Sequence, residues 1–331
     1  MASEHILGRV SIVAPVYNEV DALWPLYESL VKVIDKLGRP AEVILINDGS
    51  TDGSDQRLDE IADKDDRFTV IHLRRNFGQT AALAAGFDHA RGEAIVALDA
   101  DLQNDPEDIP RLLAKLDEGY DVVSGWRKHR KDTWLTRKLP SAIANWLISR
   151  VTGVHLHDYG CSLKAYRAEV LRDVKLYGDM HRFIPALAYW AGGRVTEMEV
   201  THHARKYGKT KYGISRTLRV LLDLATVKFL LAYATHPLQI FGRWGLISGG
   251  LGVLIGLYLT ADKFIHGAAL ANRPALMLAV LLVLMGMQLI TMGLIAELQA
   301  RTYYEAQGKP VYTVRYVKYQ AGRMREDFPG D

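Results

Sequence analysis

Asp99-Ala100-Asp101 closes the apolar run Ala94-Ile95-Val96-Ala97-Leu98. Side chains alternate along a strand, so residues i and i+2 leave on one face, the two carboxylates converge on one point, and Gln103 continues the alternation. Like charges so placed repel unless a cation sits between them, and a hard divalent metal that takes oxygen ligands and shares phosphates is the natural occupant. The same residues could instead cap a strand and open the turn Gln103-Asn104-Asp105-Pro106. A second polar cluster, Asp48-Gly49-Ser50-Thr51-Asp52, has neither Gly-x-Gly-x-x-Gly spacing nor a Gly-Lys-Ser/Thr ending, which weakens a phosphate-loop reading. Its aspartate could accept from a base N–H or a ribose hydroxyl, or simply form an Asp-Gly turn. His155, His157, His202 and His203 form no helical His-x-x-x-His pair and have no cysteine pair to complete a zinc set. Cys161, the one cysteine, excludes an internal disulfide, fits a reducing compartment and reads as a small packed residue.

The elements that position these residues alternate. Val10-Ser11-Ile12-Val13-Ala14-Pro15 reads as a buried strand and Val20 to Leu37 as an amphipathic helix. Strand Glu42 to Asn47, a helix from Ser54, strand Thr69 to Leu73, helix Gln79 to Ala90, strand Ala94 to Leu98, helix Pro106 to Glu118 and strand Asp121 to Ser124 follow. This spacing predicts an α/β fold with a mostly parallel sheet covered on both faces, and ligands bind such sheets beyond the carboxyl ends of the strands. Tyr17-Asn18-Glu19, Asp48 to Asp52 and Asp99 to Asp105 all fall there.

The 331 residues are 49% hydrophobic, but the apolar residues are unevenly spread. Leu238 to Leu259 and Ala275 to Ala296 are almost uncharged, and about 22 residues each suffice to cross a hydrocarbon core of ~30 Å. Arg243 can snorkel from a span end, and mid-span Gln288 reads as an interhelical hydrogen-bonding residue. Lys and Arg crowd the inbound flank from Arg205 to Lys228 and the outbound tail from Arg301 to Arg325, whereas the loop from Thr260 to Pro274 has Lys263 and Arg273. Both termini are therefore expected in the cytoplasm. Ile6 to Val16 does not read as a signal segment, being interrupted by Gly8, Arg9 and Pro15. Ser215 to Tyr233 could lie in the membrane interface or pack on the domain. The net charge of +3 is too small to imply nucleic acid, and anionic lipid explains the basic clusters better.

Taken together, Pro15-Val16-Tyr17-Asn18-Glu19, Asn47-Asp48-Gly49-Ser50-Thr51-Asp52 and Asp99-Ala100-Asp101-Leu102-Gln103 resemble the family 2 glycosyltransferases of GT-A fold, in the family's order. Asp99 to Pro106, Ser124-Gly125-Trp126-Arg127 and Arg205-Lys206-Tyr207-Gly208-Lys209-Thr210-Lys211-Tyr212 look like the polyprenyl-phosphate branch. That branch contains dolichyl-phosphate mannosyltransferase and bacterial undecaprenyl-phosphate glucosyltransferases. The resemblance covers residues ~9 to 300, since two C-terminal spans match the bacterial members as well. It implies a GT-A domain over 1–213, amphipathic interfacial helices over 214–235, a transmembrane hairpin over 236–298 and a cytoplasmic tail over 299–331. Inverting transfer of one sugar, taken as glucose, from a UDP-sugar to undecaprenyl phosphate at the cytoplasmic face of the inner membrane is the implied reaction.

The resemblance also implies roles. Asp99, Asp101 and Gln103 would hold Mg²⁺ or Mn²⁺ against the donor diphosphate, with Asp101 in the catalytic set. Pro15, Tyr17, Glu19 and Asp48 would seat the nucleoside, and Arg205 and Lys211 would reach the diphosphate or, alternatively, face lipid headgroups. Arg127, Arg137 and Ser141 are placed like the family's lipid-phosphate ligands. Asp158 matches an active-site aspartate. Because a phosphate monoester with a second pKa near ~6 is already largely anionic at neutral pH, Asp158 is expected to orient a substrate more than to remove a proton.

Two other functions compete. Gln239-Ile240-Phe241-Gly242-Arg243-Trp244 has some likeness to the Gln-x-x-Arg-Trp motif of processive polysaccharide synthases, but its spacing is one residue too long. A non-catalytic nucleotide-binding scaffold would have no need for paired carboxylates facing a basic site. A homo-oligomer, up to a tetramer, is expected, and Val311 to Tyr319 alternates like a strand that could pair with a neighbouring subunit.

Overall fold

The computed structural model describes residues 7–128, 139–172, 174, 176, 180–204, 237–266, 274–306 and 311–319. Four strands form its centre: β1 (Val10–Val16), β2 (Ala41–Asn47), β3 (Phe68–Leu73) and β4 (Ala94–Ala97). They are built from Val, Ile, Leu and Ala and are buried almost throughout, as strands covered on both faces must be. All four run parallel, β1 lying between β2 and β4, so that Val13 sits beside both Ile44 and Ala97. Beyond β4, β6 (Lys164–Arg167) runs antiparallel between β4 and β5 (Val122–Trp126), and β7 (Val195–Glu199) lies parallel to β5. β8 (Val314–Lys318) pairs antiparallel with β3, completing the order β7-β5-β6-β4-β1-β2-β3-β8 among the described residues. This is the mostly parallel sheet that the alternation of elements predicts.

Helices α1 (Leu23–Lys36), α2 (Ser54–Lys64), α3 (Gln79–His89) and α4 (Ile109–Asp117) connect these strands. Leu23, Leu26, Leu30 and Val33 make the buried stripe of α1, at helical spacing. The approach of α3 is closer: a Cβ on Gly86 would come within 2.3 Å of Val13 Cγ1, so the α3 backbone lies against β1. Helix α5 (Leu139–Thr152) and the shorter α6 (Ala168–Arg172) and α7 (Ile184–Trp190) follow.

The chain divides into two compact units, Met1–Ala225 with Pro310–Asp331, and Thr226–Lys309. The second contains α8 (Pro237–His266) and α9 (Pro274–Ala306). Phe241–His266 and Pro274–Ala296 are long and apolar enough to cross a membrane, and in each only 17% of the most apolar stretch is buried. A soluble core helix would be covered; these present Leu246, Leu254, Met277 and Leu281 outward. Glycines bring the two helices together. A Cβ on Gly286 would lie 2.6 Å from the Gly245 carbonyl oxygen and 2.7 Å from Gly249 N, and Ser248 Oγ donates to the Leu282 carbonyl at 2.9 Å. Gln288, expected between the helices, is exposed on α9 instead.

One other expectation changes. Asp99 to Gln103 do not continue a strand, because β4 stops at Ala97 and the chain turns. The strand expected at 311–319 is present as β8, which pairs with β3 of its own chain.

Candidate active site

The chain proceeds from β1 to β2 on one side, while β4 lies on the other, so the carboxyl ends of β1 and β4 flank a switch point in strand order. Around it the loops are tied to one another. Asn18, held at φ 54°, donates its backbone N–H to Ser50 Oγ at 3.1 Å and accepts from Thr51 N–H on its side-chain oxygen at 2.8 Å. Glu19 N–H donates to Ser54 Oγ and Val20 N–H to Asp52 Oδ2. Tyr17 is exposed at the rim and Pro15 is half-buried at the end of β1.

Asp48 is buried, and both its oxygens accept backbone N–H groups, from Phe77 at 2.7 Å and Gly78 at 3.0 Å. Burial pushes its carboxyl up, and these two amides pull it back. Its immediate work is to fix the segment that leads into α3.

After β4 the two carboxylates converge through a turn, not through the pleat. Asp101 is buried and its Oδ1 accepts from Gln103 N–H at 3.1 Å, while Leu102 between them is at φ 58°. A left-handed leucine costs about 1–3 kcal/mol and persists where its surroundings enforce it. Asp99 is half-buried, with Oδ1 accepting from Gln79 Nε2 at 2.7 Å. Desolvation and the charge of Asp101 raise its carboxyl to about 6, against the opposing pull of Ser162, Arg127 and Lys164. Two hard oxygen donors that repel each other fit a divalent cation. Among the described residues no third carboxylate, histidine or cysteine completes a metal set, so such a cation would draw its other ligands from elsewhere, as a diphosphate provides.

Facing this turn is a buried ion pair. Arg127, just past β5, donates from Nε to Asp158 Oδ2 at 2.7 Å and from Nη2 to Oδ1 at 3.0 Å. Both side chains are largely covered, at 13% and 8% exposure. Burial would raise the Asp158 carboxyl, but Arg127's hydrogen bonds and charge outweigh it and hold it below the ordinary carboxylate value. The backbone of Gly160 passes so close that a Cβ there would lie 3.2 Å from Arg127 Nη2. Alongside, Trp126 stacks on His157 with ring centroids 4.3 Å apart, and His157 also pairs with Glu197.

The structure thus brings Asp99, Asp101, Gln103, Arg127 and Asp158 to one end of the sheet, with Pro15 near the end of β1 and Tyr17, Glu19 and Asp48 on the neighbouring loops. Arg137, the side chain of Ser141, Arg205 and Lys211 lie outside the described residues. Sequence reasoning passes over a cleft behind Asp99, lined by Gln79, Ser162, Lys164, His181 and Arg182. Ser162 and Lys164 stand two and four residues beyond Gly160, so the alternation into β6 is a signal for them; His181 and Arg182 have none nearby.

The model of glycosyl transferase family 2 matches residues 11–175. A dodecaprenyl-phosphate galacturonate synthase of Rhizobium johnstonii is 48% identical over 316 residues, 93% of each chain. An undecaprenyl-phosphate 4-deoxy-4-formamido-L-arabinose transferase of Proteus mirabilis is 38% identical over 96% of each chain. Among solved structures, glucosyl-3-phosphoglycerate synthase from Mycobacterium tuberculosis, in complex with Mn²⁺ and UDP-glucose, superposes with a TM-score of 0.54 at 17% identity. It covers 67% of this chain and 79% of its own, which supports the GT-A fold. With relatives so similar over nearly their whole length, and with the family's motifs gathered at one end of the sheet, the chain belongs to glycosyl transferase family 2, as one of its polyprenyl-phosphate glycosyltransferases.

Proposed function

We propose that this enzyme moves a single uronic-acid sugar, of the galacturonate type, from its UDP donor to a long-chain polyprenyl phosphate. The glucose expected from sequence resemblance gives way to the sugar named in the 48% identical relative, with the formamido-arabinose of the 38% identical relative as the competing donor. The observation that carries the reaction type is the juxtaposition of the Asp99–Asp101 turn with the Arg127–Asp158 pair.

In this reading Pro15, Tyr17, Glu19 and Asp48 seat the uridine, Asp48 by anchoring the loop before α3. Asp99, Asp101 and Gln103 hold Mg²⁺ or Mn²⁺, which supplies charge neutralisation for the departing diphosphate. Arg205 and Lys211 support the same diphosphate. Arg127, with Arg137 and Ser141, receives the acceptor phosphate. A guanidinium held on one edge by a carboxylate presents its remaining N–H groups in a fixed direction, which suits a phosphate oxygen. The acceptor oxygen attacks the anomeric carbon from the face opposite the diphosphate; the bond to UDP breaks and UDP leaves with the electron pair, inverting the centre. No proton needs removal from a monoester dianion, and Asp158, held ionised by Arg127, is a positioning residue. The two apolar helices anchor the enzyme in the bilayer where its acceptor resides, and the sheet and both termini are cytoplasmic. Assembly into a homo-oligomer belongs to this reading too.

The test uses full-length protein in detergent with Mg²⁺ or Mn²⁺, a polyprenyl phosphate, and labelled UDP-galacturonate, UDP-galactose, UDP-glucose and UDP-4-deoxy-4-formamido-L-arabinose. A monoglycosyl lipid from UDP-galacturonate, abolished by EDTA and by Asp101→Ala, is expected. Product from the arabinose donor alone, a polymer, or undiminished transfer in EDTA would overturn the corresponding part of the reading.

A further inference from the structure

Asn47, His72 and Tyr316 lie in one row across the adjacent strands β2, β3 and β8. Asn47 and His72 are buried, and the Tyr316 ring stacks on the imidazole. Asp59 of α2 offers one carboxylate oxygen to His72 Nε2, at 3.2 Å, and the other to the Tyr316 hydroxyl. A carboxylate only accepts, so the imidazole carries a proton on Nε2. Burial pushes the imidazole pKa down against the pull of the Asp59 charge, which leaves Nδ1 with a lone pair at neutral pH. That lone pair accepts from Asn47 Nδ2 at 3.0 Å, and the Asn47 oxygen accepts from Ser50 N–H at 2.9 Å. Turned over, the amide would set two donors against each other at Ser50 and two acceptors against each other at His72. Ser50 Oγ in turn receives the N–H of Asn18, which stands between Tyr17 and Glu19.

We propose that His72 is a positioning residue for donor binding: its Nδ1 lone pair sets the Asn47 amide, and through it the Ser50 turn that aligns Tyr17 and Glu19 on the uridine. The proposal rests on the nucleotide reading above and adds to it a residue that does not itself touch the nucleotide. Strand packing alone does not call for this row, since an apolar residue at position 72 would be buried with no polar group to satisfy. What the polar row supplies is direction. Each member fixes which end of the next one donates, from Asp59 through His72 and Asn47 to the loop after β2, and a fully satisfied buried network of this kind holds one arrangement. Tyr316 completes it from the last strand of the chain, by covering the imidazole and binding the second oxygen of Asp59.

The experiment measures, by calorimetry on full-length protein in detergent, affinity for UDP with Mn²⁺ and affinity for a short-chain polyprenyl phosphate. Wild type is compared with His72→Phe, which keeps a ring to stack on Tyr316 but has no lone pair, and with His72→Asn, which discards the ring but has an oxygen at the δ position. His72→Phe is expected to weaken UDP by about tenfold, because it leaves the buried Asn47 amide without its acceptor, and to leave the lipid phosphate as tightly bound as in wild type. His72→Asn is expected to recover most of the UDP affinity. A purely structural role would rank the two variants the other way, since Phe preserves the packing and Asn does not, and that ranking would overturn the proposal. So would equal weakening of UDP and lipid phosphate in His72→Phe, which would mark a general loosening of the domain. If wild type binds UDP and His72→Phe binds it as tightly, the positioning role alone falls. If wild type binds no UDP, the nucleotide reading falls, and the positioning role with it.

Discussion

Arg127 and Asp158 were each legible as single residues, one as a phosphate ligand and the other as an active-site carboxylate. Their mutual hydrogen bonds were not, because nothing in the spacing of two loops 31 positions apart reveals a shared contact. The pairing makes a definite prediction. Asp158 is held ionised below the ordinary carboxylate range, so it contributes no limb to a pH–rate profile near neutrality; its stabilising charge is lost only as pH falls through that depressed value. Asp158→Asn should lower kcat about 10–100-fold by releasing Arg127, while the acid limb of kcat/KM stays in place. Loss or displacement of that limb would identify Asp158 as a general base. Because removing one partner of a buried pair costs about 3–5 kcal/mol, the same variant should melt measurably earlier.

At the scale of elements, the central strands and the helices between them follow from apolar runs and helical periodicity. β6 and β7 do not, because β6 opens on the buried charge of Lys164, and β7, Val-Thr-Glu-Met-Glu, is half-exposed along most of its length. Nor does alternation disclose a partner: Val311 to Tyr319 announces a strand without saying which edge it will join. The convergence of Asp99 and Asp101 was read from the pleat and is delivered by a turn with Leu102 at positive φ. The loop after β2 is just as demanding. Gly49 sits at φ +67°, and a Cβ there would come within 2.5 Å of the Arg75 carbonyl carbon and 2.6 Å of Asn76 N. Gly49→Ala should therefore push apart the two segments that Asp48 joins, at a cost of about 1–3 kcal/mol, and weaken UDP binding by about tenfold in calorimetry. Unchanged affinity would separate this loop from the nucleotide.

For the whole molecule, composition alone separated a water-soluble sheet domain from an apolar helical hairpin, but it could not say how the hairpin is held together. Gln288 was the evident candidate and points outward; Gly245, Gly249 and Gly286 make the contact instead. Gly286→Val should overpack that contact, costing about 1–3 kcal/mol and lowering the thermal stability of the detergent-solubilised protein, whereas Leu281→Ala on an exposed face should not. The last strand imposes an order of events. Tyr316 of β8 stacks on His72 of β3 with ring centroids 4.3 Å apart and donates its hydroxyl to Asp59 at 3.1 Å, across 257 positions of sequence. During synthesis the β3 edge therefore stays open, a template for unwanted strand pairing, until the ribosome has made both apolar helices and released the tail beyond them. Completion of the sheet thus reports that the hairpin has been made, and a nascent chain stalled within it carries an unfinished edge for quality control to find.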